Sequence, residues 1–245
     1  MERATQRTAC GCTGGIGERQ PALFLSSLSG PVREALLRIG SPRQYSPGEK
    51  ILVEGARGDY LVLLKTGRVK VTGKLSSGQD ALIAVRVGGD VVGEMAVIDD
   101  VPRSATVTAC DDVEAHVVQG REMRCFLDKH PEVALEIARL SVRRLRKANS
   151  WRIAFADSSV RVRLAWTLAE LAQEHGCVVR SCCIVIGLDL TQTELGAFIG
   201  AKQSAVHKAL VRFRDEKIIT TRSRRMEVMK LDRLREIGGM TAIDR

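Results

Sequence analysis

The stretch of this 245-residue sequence with the clearest chemical potential is GEMAVIDDVPRSATV, residues 93–107. It places a carboxylate, Glu94, nine positions before Arg103, and the hydroxyl of Ser104 follows directly. A guanidinium fork gives paired, charge-assisted hydrogen bonds to an anion. The stretch therefore predicts either a loop that holds a ligand or a surface turn in which Glu94 and Arg103 pair with each other.

A second informative stretch is LTQTELGAFIGAKQSAVHKALVRFRDEKIITTRSRRMEVM, residues 190–229. Thr191 and Glu194 have the spacing of a capping box, which satisfies amides at a helix start. Gly200 supplies a tight turn, and apolar residues follow helical spacing on both sides of it, at Leu195, Phe198, Ile199, Ala205, Val206, Ala209, Leu210 and Phe213. Two short strands with arginines come next. This order predicts a helix-turn-helix followed by a wing.

The charge is unevenly distributed along the chain, whose formal net charge is +9 at pH 7. Residues 1–138 contain 17 Lys and Arg against 18 Asp and Glu, whereas residues 139–245 contain 21 against 11. A near-neutral module joined to a basic one indicates a polyanionic partner. Because the helix-turn-helix pattern lies in the basic half, double-stranded DNA is favoured over a membrane surface.

The cysteines do not form a recognisable ligand set. They are Cys10, Cys12, Cys110, Cys125, Cys177, Cys182 and Cys183. The short spacings, Cys10-x-Cys12 and adjacent Cys182 and Cys183, match neither a zinc nor an iron–sulfur pattern. We expect reduced, structural thiols and no metal, with a redox or cluster role as the alternative.

Other features of the sequence disfavour membrane and enzyme classes. No apolar run approaches about 20 residues, and the N-terminal stretch lacks the apolar core of a signal peptide. The four histidines lie in unrelated segments, and no nucleophile–base pair or carboxylate pair emerges. We expect a cytoplasmic protein that is not an enzyme.

Two patterns indicate the elements that position these residues. From about residue 48 to residue 120, short β-rich runs are cut by glycines, and polar–apolar alternation is strict at residues 68–72 and 113–117. Such runs predict a roll or barrel of antiparallel strands. After Gly120 the pattern is helical, and Pro131 suits the first turn of a long helix.

The long helix carries a thin apolar stripe, formed by Ile137, Ser141, Leu145, Ala148, Trp151 and Phe155. A stripe this narrow is typical of a helix–helix seam, and packing on the chain's own β domain is the alternative. Asp157, Ser158 and Ser159 then break the helix and predict a hinge.

In this order the parts resemble the cyclic-AMP receptor/fumarate–nitrate regulator (Crp/Fnr) superfamily of bacterial transcription factors. The resemblance covers about residues 21–237 and is carried by SPGEKILVEGARGDYL, TGRVKV, GGDVVGEMAVIDDVPRSATV, HPEVALEIARLSVRRLR and LTQTELGAFIGAKQSAVHKAL. It implies an α+β fold: an N-terminal antiparallel β-roll of the cyclic-nucleotide-binding type, a long central dimerisation helix and a C-terminal winged helix-turn-helix. The expected division is a flexible tail at 1–20, a sensory roll at 21–130, the dimerisation helix at 131–156 and the DNA-binding domain at 157–245.

The resemblance implies a ligand site in the roll. Arg103 and Ser104 match the residues that bind the cyclic phosphate, and Glu94 matches the acceptor for the ribose 2′-hydroxyl. Gly93 lets the backbone approach closely. The implied ligand residues are Gly93, Glu94, Met95, Arg103, Ser104, Ala105 and Asn149. Cyclic AMP or cyclic GMP is the expected effector.

Two departures from the family pattern concern the ligand's identity. Ala148 and Asn149 stand where cyclic-AMP receptors place a threonine and a small polar residue toward the adenine. Val62 stands where the family often has an aromatic residue. These changes leave open cyclic AMP, cyclic GMP, another anion or no ligand.

The resemblance also implies a set of DNA contacts: Thr191, Gln192, Thr193, Lys202, Gln203, Ser204, His207, Lys208, Arg224 and Arg225. Gln203, Ser204 and Lys208 would contact bases, since Gln bonds adenine and Lys donates to guanine. The family's cytosine-binding glutamate is absent, which predicts a different operator. Lys202, the threonines and the wing arginines would contact phosphates.

We therefore expect a homodimer whose roll senses an effector and repositions its helix-turn-helix domains on a roughly palindromic site, with RNA polymerase as a further partner. One alternative is the same architecture sensing a redox or other non-nucleotide signal. The other is a cyclic-nucleotide-binding module that regulates a protein partner.

Overall fold

The computed structural model describes residues 23–180, 183–222 and 225–240, and at Arg180, Arg222 and Arg225 it describes the backbone alone. Its helices are α1 (Phe24–Ser27), α2 (Gly30–Ile39), α3 (Glu94–Asp99), α4 (Gly120–Lys129), α5 (Pro131–Ala156), α6 (Val160–His175), α7 (Gln192–Ile199), α8 (Gln203–Asp215) and α9 (Leu231–Gly238). Its strands are β1 (Ser41–Tyr45), β2 (Lys50–Leu52), β3 (Tyr60–Leu64), β4 (Arg68–Lys74), β5 (Asp80–Val87), β6 (Val91–Val92), β7 (Thr106–Ala109), β8 (Val113–Gln119), β9 (Gly176–Arg180), β10 (Cys183–Ile186), β11 (Ile219–Arg222) and β12 (Arg225–Val228).

Contacts between Cα atoms group the described residues into two compact units. The first, called the roll unit, contains residues 23–159 together with Leu190–Ala205. The second, called the C-terminal unit, contains the described residues of Val160–Asp189 and of 206–240.

The roll unit is built on two four-stranded antiparallel sheets, with strand orders β1-β8-β3-β6 and β2-β7-β4-β5. Strand β3 shows how alternation builds the core, because successive side chains on a strand point to opposite faces. Val62 and Leu64 pack with residues of the second sheet. Leu61 and Leu63 pack with the helices. The predicted antiparallel β-roll is confirmed.

Helices α1, α2 and α4 and the first half of α5 cover the outer face of the first sheet. Phe24, Leu36, Met123 and Phe126 are buried in one cluster with Leu61. Helix α5 begins at Pro131 as the sequence predicts, and it ends at Ala156, immediately before the predicted break.

Two of the six residues predicted to form an apolar seam on α5, Ile137 and Trp151, pack within the roll unit instead. Ile137 is buried in the same cluster as Phe24, because the first half of α5 packs on the roll. Trp151 contacts Phe198 of α7. Leu145, a residue of the predicted seam, is exposed, and so are the other large apolar side chains Leu135, Val142 and Ile153 of α5.

The C-terminal unit combines helices with a four-stranded antiparallel sheet of order β11-β12-β10-β9. The two strands predicted as a wing are β11 and β12, which pair from Ile219 with Val228 to Arg222 with Arg225. Helix α9 packs on α6 so closely that a Cβ at Gly238 would lie 2.9 Å from the Trp166 Cα. Arg161 Nη2 donates to both carboxylate oxygens of Glu216 at 2.7 Å.

None of the helices that the structure describes combines the length and the apolarity needed to span a membrane.

Candidate functional site

The stretch at residues 93–107 folds as a compact cassette between β6 and β7. Gly93 precedes α3 with φ of +82°, in the left-handed region that favours glycine. A Cβ at this position would lie 2.7 Å from Arg103 Nη1. Glycine is thus required both by the backbone conformation and by the close approach of the arginine.

Arg103 is the centre of the cassette, and its side chain is fixed by backbone carbonyls. The residue is 5% exposed. Its Nη1 donates to Gly93 O at 2.8 Å, and its Nη2 donates to Tyr60 O at 2.5 Å. The guanidinium carbon lies 4.5 Å from the centroid of the Tyr60 ring, a cation–π distance. A guanidinium carries five N–H donors, so these two bonds orient it without using all of them.

Glu94 pairs with a residue that sequence reasoning missed. Its Oε1 accepts from Arg144 Nη1 of α5 at 2.6 Å, and Glu94 is 4% exposed. Arg144 Nη2 also donates to Asp90 Oδ1 and to Val91 O, each at 2.8 Å. The surface pair of Glu94 with Arg103, which was one alternative from the sequence, is wrong. The long helix is instead tied to the cassette through two buried carboxylates.

The other predicted ligand residues differ in their placement. Ser104 Oγ lies 3.9 Å from Met95 Sδ, and both residues are exposed beside Arg103. Ala105 is half-buried immediately before β7. Asn149 is exposed on α5, about 140° around the helix axis from Arg144. The cassette brings together six of the predicted ligand residues: Gly93, Glu94, Met95, Arg103, Ser104 and Ala105. Asn149 is the exception, because it lies on a different face of α5 from Arg144, which contacts the cassette.

The cassette therefore offers a buried, oriented guanidinium, an adjacent hydroxyl and a buried carboxylate. This donor and acceptor set suits a small ligand that carries an anionic group and hydroxyls. The sequence signal for Arg144 and Asp90 was weak, because each belongs to a segment with several similar charged residues.

The capping box at the start of α7 forms as predicted. Thr191 Oγ1 accepts from Glu194 N at 3.1 Å, and Glu194 Oε2 accepts from Thr191 N at 2.8 Å. Gly200 ends the helix with φ of +63°. Thr191 is exposed, whereas Gln192 and Thr193 are half-buried.

Helix α8 separates its predicted DNA-contacting side chains from its apolar ones. Val206, Ala209, Leu210 and Phe213 are buried. The exposed residues at its start are Gln203, Ser204, His207 and Lys208, with Lys202 exposed just before the helix. Such a continuous polar face is what a helix in the major groove requires. Arg224 lies outside the described residues, and only the backbone of Arg225 is described, in β12.

The described thiols differ in their burial. Burial raises the pKa of Cys110 to about 11. Cys125 is exposed, Cys177 is half-buried and Cys183 is buried. Among the residues that the structure describes, no three His, Cys, Asp or Glu side chains are grouped as metal ligands. Cys10, Cys12 and Cys182 lie outside that part of the chain.

Two family models match the chain in the order that the fold shows. The model of the cyclic nucleotide-binding domain matches residues 42–130, which contain both sheets of the roll and the cassette. The model of the Crp-like helix-turn-helix domain matches residues 162–237, which contain α7, α8 and the wing.

Two transcriptional regulators align with most of the chain. The chain is 29% identical over 179 residues to the CRP-like cAMP-activated global transcriptional regulator of Mycobacterium tuberculosis, covering 73% of this chain and 80% of that one. It is 27% identical over 198 residues to the cyclic AMP receptor protein of Thermus thermophilus, covering 80% and 87%. A solved structure of a CRP-family transcriptional regulator from Thermus thermophilus has the same fold, with a TM-score of 0.69 and 20% identity over 83% of this chain and 100% of that one. The matched domains and their order show that the chain belongs to the Crp/Fnr family of transcriptional regulators.

Proposed function

We propose that this regulator is a homodimer whose roll binds a cyclic nucleotide, with cyclic AMP as the first candidate, and thereby controls binding of α8 to a roughly palindromic DNA site. The observation that carries the proposal is the buried Arg103, held by two carbonyls beside the left-handed Gly93. The names of the related regulators, which are cAMP-activated or cyclic AMP receptors, support the choice of ligand. The function is binding and not catalysis. RNA polymerase is the further partner of the regulator. Because bacterial DNA and RNA polymerase are both in the cytoplasm, the regulator is expected to act there.

In this proposal the cassette residues have separate roles. Arg103 and Ser104 bind the cyclic phosphate, and Glu94 accepts a hydrogen bond from the ribose 2′-hydroxyl. Met95 and Ala105 contribute contacts to the rest of the nucleotide, whereas Asn149, on another face of α5 than Arg144, receives no contact within this cassette. Because Glu94 already accepts from Arg144 through Oε1, the ribose hydroxyl has to share this carboxylate with the long helix.

The ligand is tested by thermal unfolding with cyclic AMP or cyclic GMP. A ligand at 100 times its Kd stabilises the folded state by about 2.7 kcal/mol, so the wild-type melting temperature should rise. Arg103→Met should lose this rise, and Ser104→Ala, at an exposed position, should weaken it without unfolding the chain. Arg121→Met, on the exposed side of α4, is the matched control and should retain it. A wild-type protein indifferent to both nucleotides at millimolar concentration would refute the ligand.

The DNA contacts divide into two classes with different signatures. Gln203, Ser204 and Lys208 contact bases, whereas Lys202, Thr191, Thr193 and the wing arginines contact phosphates. Gln203→Ala should cost about 1–3 kcal/mol on the preferred site and relax selectivity at one base position. Lys202→Ala should weaken binding to all sequences and lower the salt slope by about one. Equal weakening of specific and scrambled DNA by Gln203→Ala would show that the roles are misassigned.

The second copy is expected to cover the exposed apolar side chains of α5. Leu135, Val142 and Ile153 lie within about 20° of one another around the helix axis, and Leu145 lies within about 80° of them. Leu145→Glu should therefore yield monomers in sedimentation experiments. Ser150→Glu, which adds the same charge on another face of α5, should stay dimeric. A dimeric Leu145→Glu protein would locate the interface elsewhere.

A further inference from the structure

Helix α7, the first helix of the helix-turn-helix, is held against the roll within the roll unit. It packs on β5, and a different contact secures each end. In its first turn Glu194 bonds Lys70 of β4, and in its last turn Phe198 contacts Trp151 of α5.

The contact in the first turn is a largely buried ion pair. Lys70 Nζ donates to Glu194 Oε1 at 2.5 Å, and the side chains are only 25% and 10% exposed. The other oxygen of Glu194 accepts from Thr191 in the capping box. Burial acts to raise the pKa of Glu194, but the hydrogen bonds from Lys70 and Thr191 outweigh it, so the pKa lies below its ordinary value. Glu194 is therefore a charged group that serves both the helix start and the contact with β4.

The contact in the last turn connects α7 to the cassette. The rings of Trp151 and Phe198 meet edge to face, with centroids 4.6 Å apart. Trp151 follows Arg144 by seven residues, so both lie on one face of α5, about 10 Å apart along its axis. Arg144 holds Glu94 and Asp90. One face of a single helix thus joins the ligand-site carboxylates to the first DNA-binding helix.

We propose that Lys70–Glu194 and Trp151–Phe198 form a latch that keeps α7 on the roll until nucleotide binds. The inference rests on the proposed function. In helix-turn-helix proteins the first helix crosses the DNA backbone. The turn of α7 that would reach a phosphate, from Thr191 to Glu194, is the same turn that bonds β4. A nucleotide hydroxyl on Glu94 competes with Arg144, and this gives the ligand a different affinity for the latched and released states.

The latch is tested with Lys70→Gln, which removes the ion pair and leaves the capping box intact. Lys74→Gln is the matched control, because it removes the same charge from an exposed position of the same strand. Glu194→Gln is a second variant, since glutamine also serves in a capping box. Removing one partner of a partly buried pair favours the released state, on the order of tenfold.

Two measurements are made on the full chain. Hydrogen exchange of the α7 amides, without DNA or nucleotide, should be about tenfold faster in Lys70→Gln and Glu194→Gln than in wild type or Lys74→Gln. DNA affinity without cyclic AMP should rise about tenfold in the same two variants, so that cyclic AMP adds less.

Three other outcomes would each overturn either the latch or the proposed function. If Lys70→Gln behaves as Lys74→Gln does while cyclic AMP still promotes DNA binding, the latch is wrong and the proposed function stands. Faster α7 exchange with unchanged nucleotide-free DNA affinity would refute the regulatory role of the contact. Wild-type protein that binds no DNA with or without nucleotide would overturn the proposed function itself, before any variant is compared.

Discussion

Replacing Arg144 with methionine should destabilise the roll unit, because it removes the cation that faces two buried carboxylates. Methionine keeps the length of the side chain and a high helix propensity, so α5 should persist. The change deletes three hydrogen bonds, at 2.6 Å to Glu94 and at 2.8 Å to both Asp90 and Val91 O. The substitution therefore removes the charge together with its hydrogen bonds and keeps most of the side-chain volume.

The expected magnitude follows from burial. Breaking a buried pair by removing one partner costs about 3–5 kcal/mol. The lower end applies, since the Arg144 side chain is 22% exposed and Asp90 keeps Arg86 at 3.5 Å. We expect the free energy of unfolding of the roll unit to fall by about 3 kcal/mol.

The measurement is urea unfolding followed by the fluorescence of Trp151 in a Trp166→Phe background. The fluorescence then comes from the roll unit alone. Arg146→Met, at an exposed neighbouring position of α5, should change stability by less than about 0.5 kcal/mol. With Glu94→Gln and Asp90→Asn already in place, Arg144→Met should cost only about 1 kcal/mol, because neutral amides need no counter-ion. An equal cost in both backgrounds would refute the electrostatic argument.

Two further predictions concern the cassette glycine and a buried thiol. Gly93→Ala should cost about 1–2 kcal/mol for its left-handed backbone and should also abolish nucleotide binding, because its Cβ displaces Arg103. Gly48 has a φ of +86° but open space around it, so Gly48→Ala should add the backbone strain and leave nucleotide binding unchanged in calorimetry. Equal losses of binding in the two variants would contradict the steric argument. At neutral pH thiol reagents should modify exposed Cys125 well before Cys110, whose pKa burial raises from 9.0 to about 11. The raised pKa means that folding favours the protonated thiol of Cys110. The stabilisation that this thiol gives the folded state is therefore complete below pH 9. About 3 kcal/mol should be lost as pH rises from 9 to 11, and Cys110→Ala should lack this part of the pH dependence in urea unfolding. Identical slopes in the two proteins would show that Cys110 is not the titrating group.

Local signals in the sequence predicted local structure correctly. The start of α5 at Pro131, its end before Asp157 and the capping box at Thr191 depend on a few adjacent residues. The long-range pairing of Glu94 with Arg144 was not predictable in this way, because 50 residues separate them. Several arginines lie side by side at 143–146, and only the phase of α5 against the cassette selects Arg144.

Other errors arose from patterns that fit two structures. Apolar residues three and four positions apart on α5 suit both a face that packs on the core and a face that a second helix covers. Ile137 belongs to the core. The apolar stretch from Cys177 to Ile186 has no clear alternation, so it did not indicate the hairpin of β9 and β10. Helix α9 is short and depends on packing against α6.

The immobilised guanidinium of Arg103 has a thermodynamic consequence. Its two carbonyl contacts and its aromatic contact are all intramolecular, so the side chain is ordered by folding. Fixing a mobile arginine costs about 2 kcal/mol of rotamer entropy. Here that entropy is lost in folding and not in association, which corresponds to about a thirtyfold gain in affinity over a site with a freely rotating arginine. Preorganisation thus transfers part of the free energy of anion recognition from the binding equilibrium to the folding equilibrium.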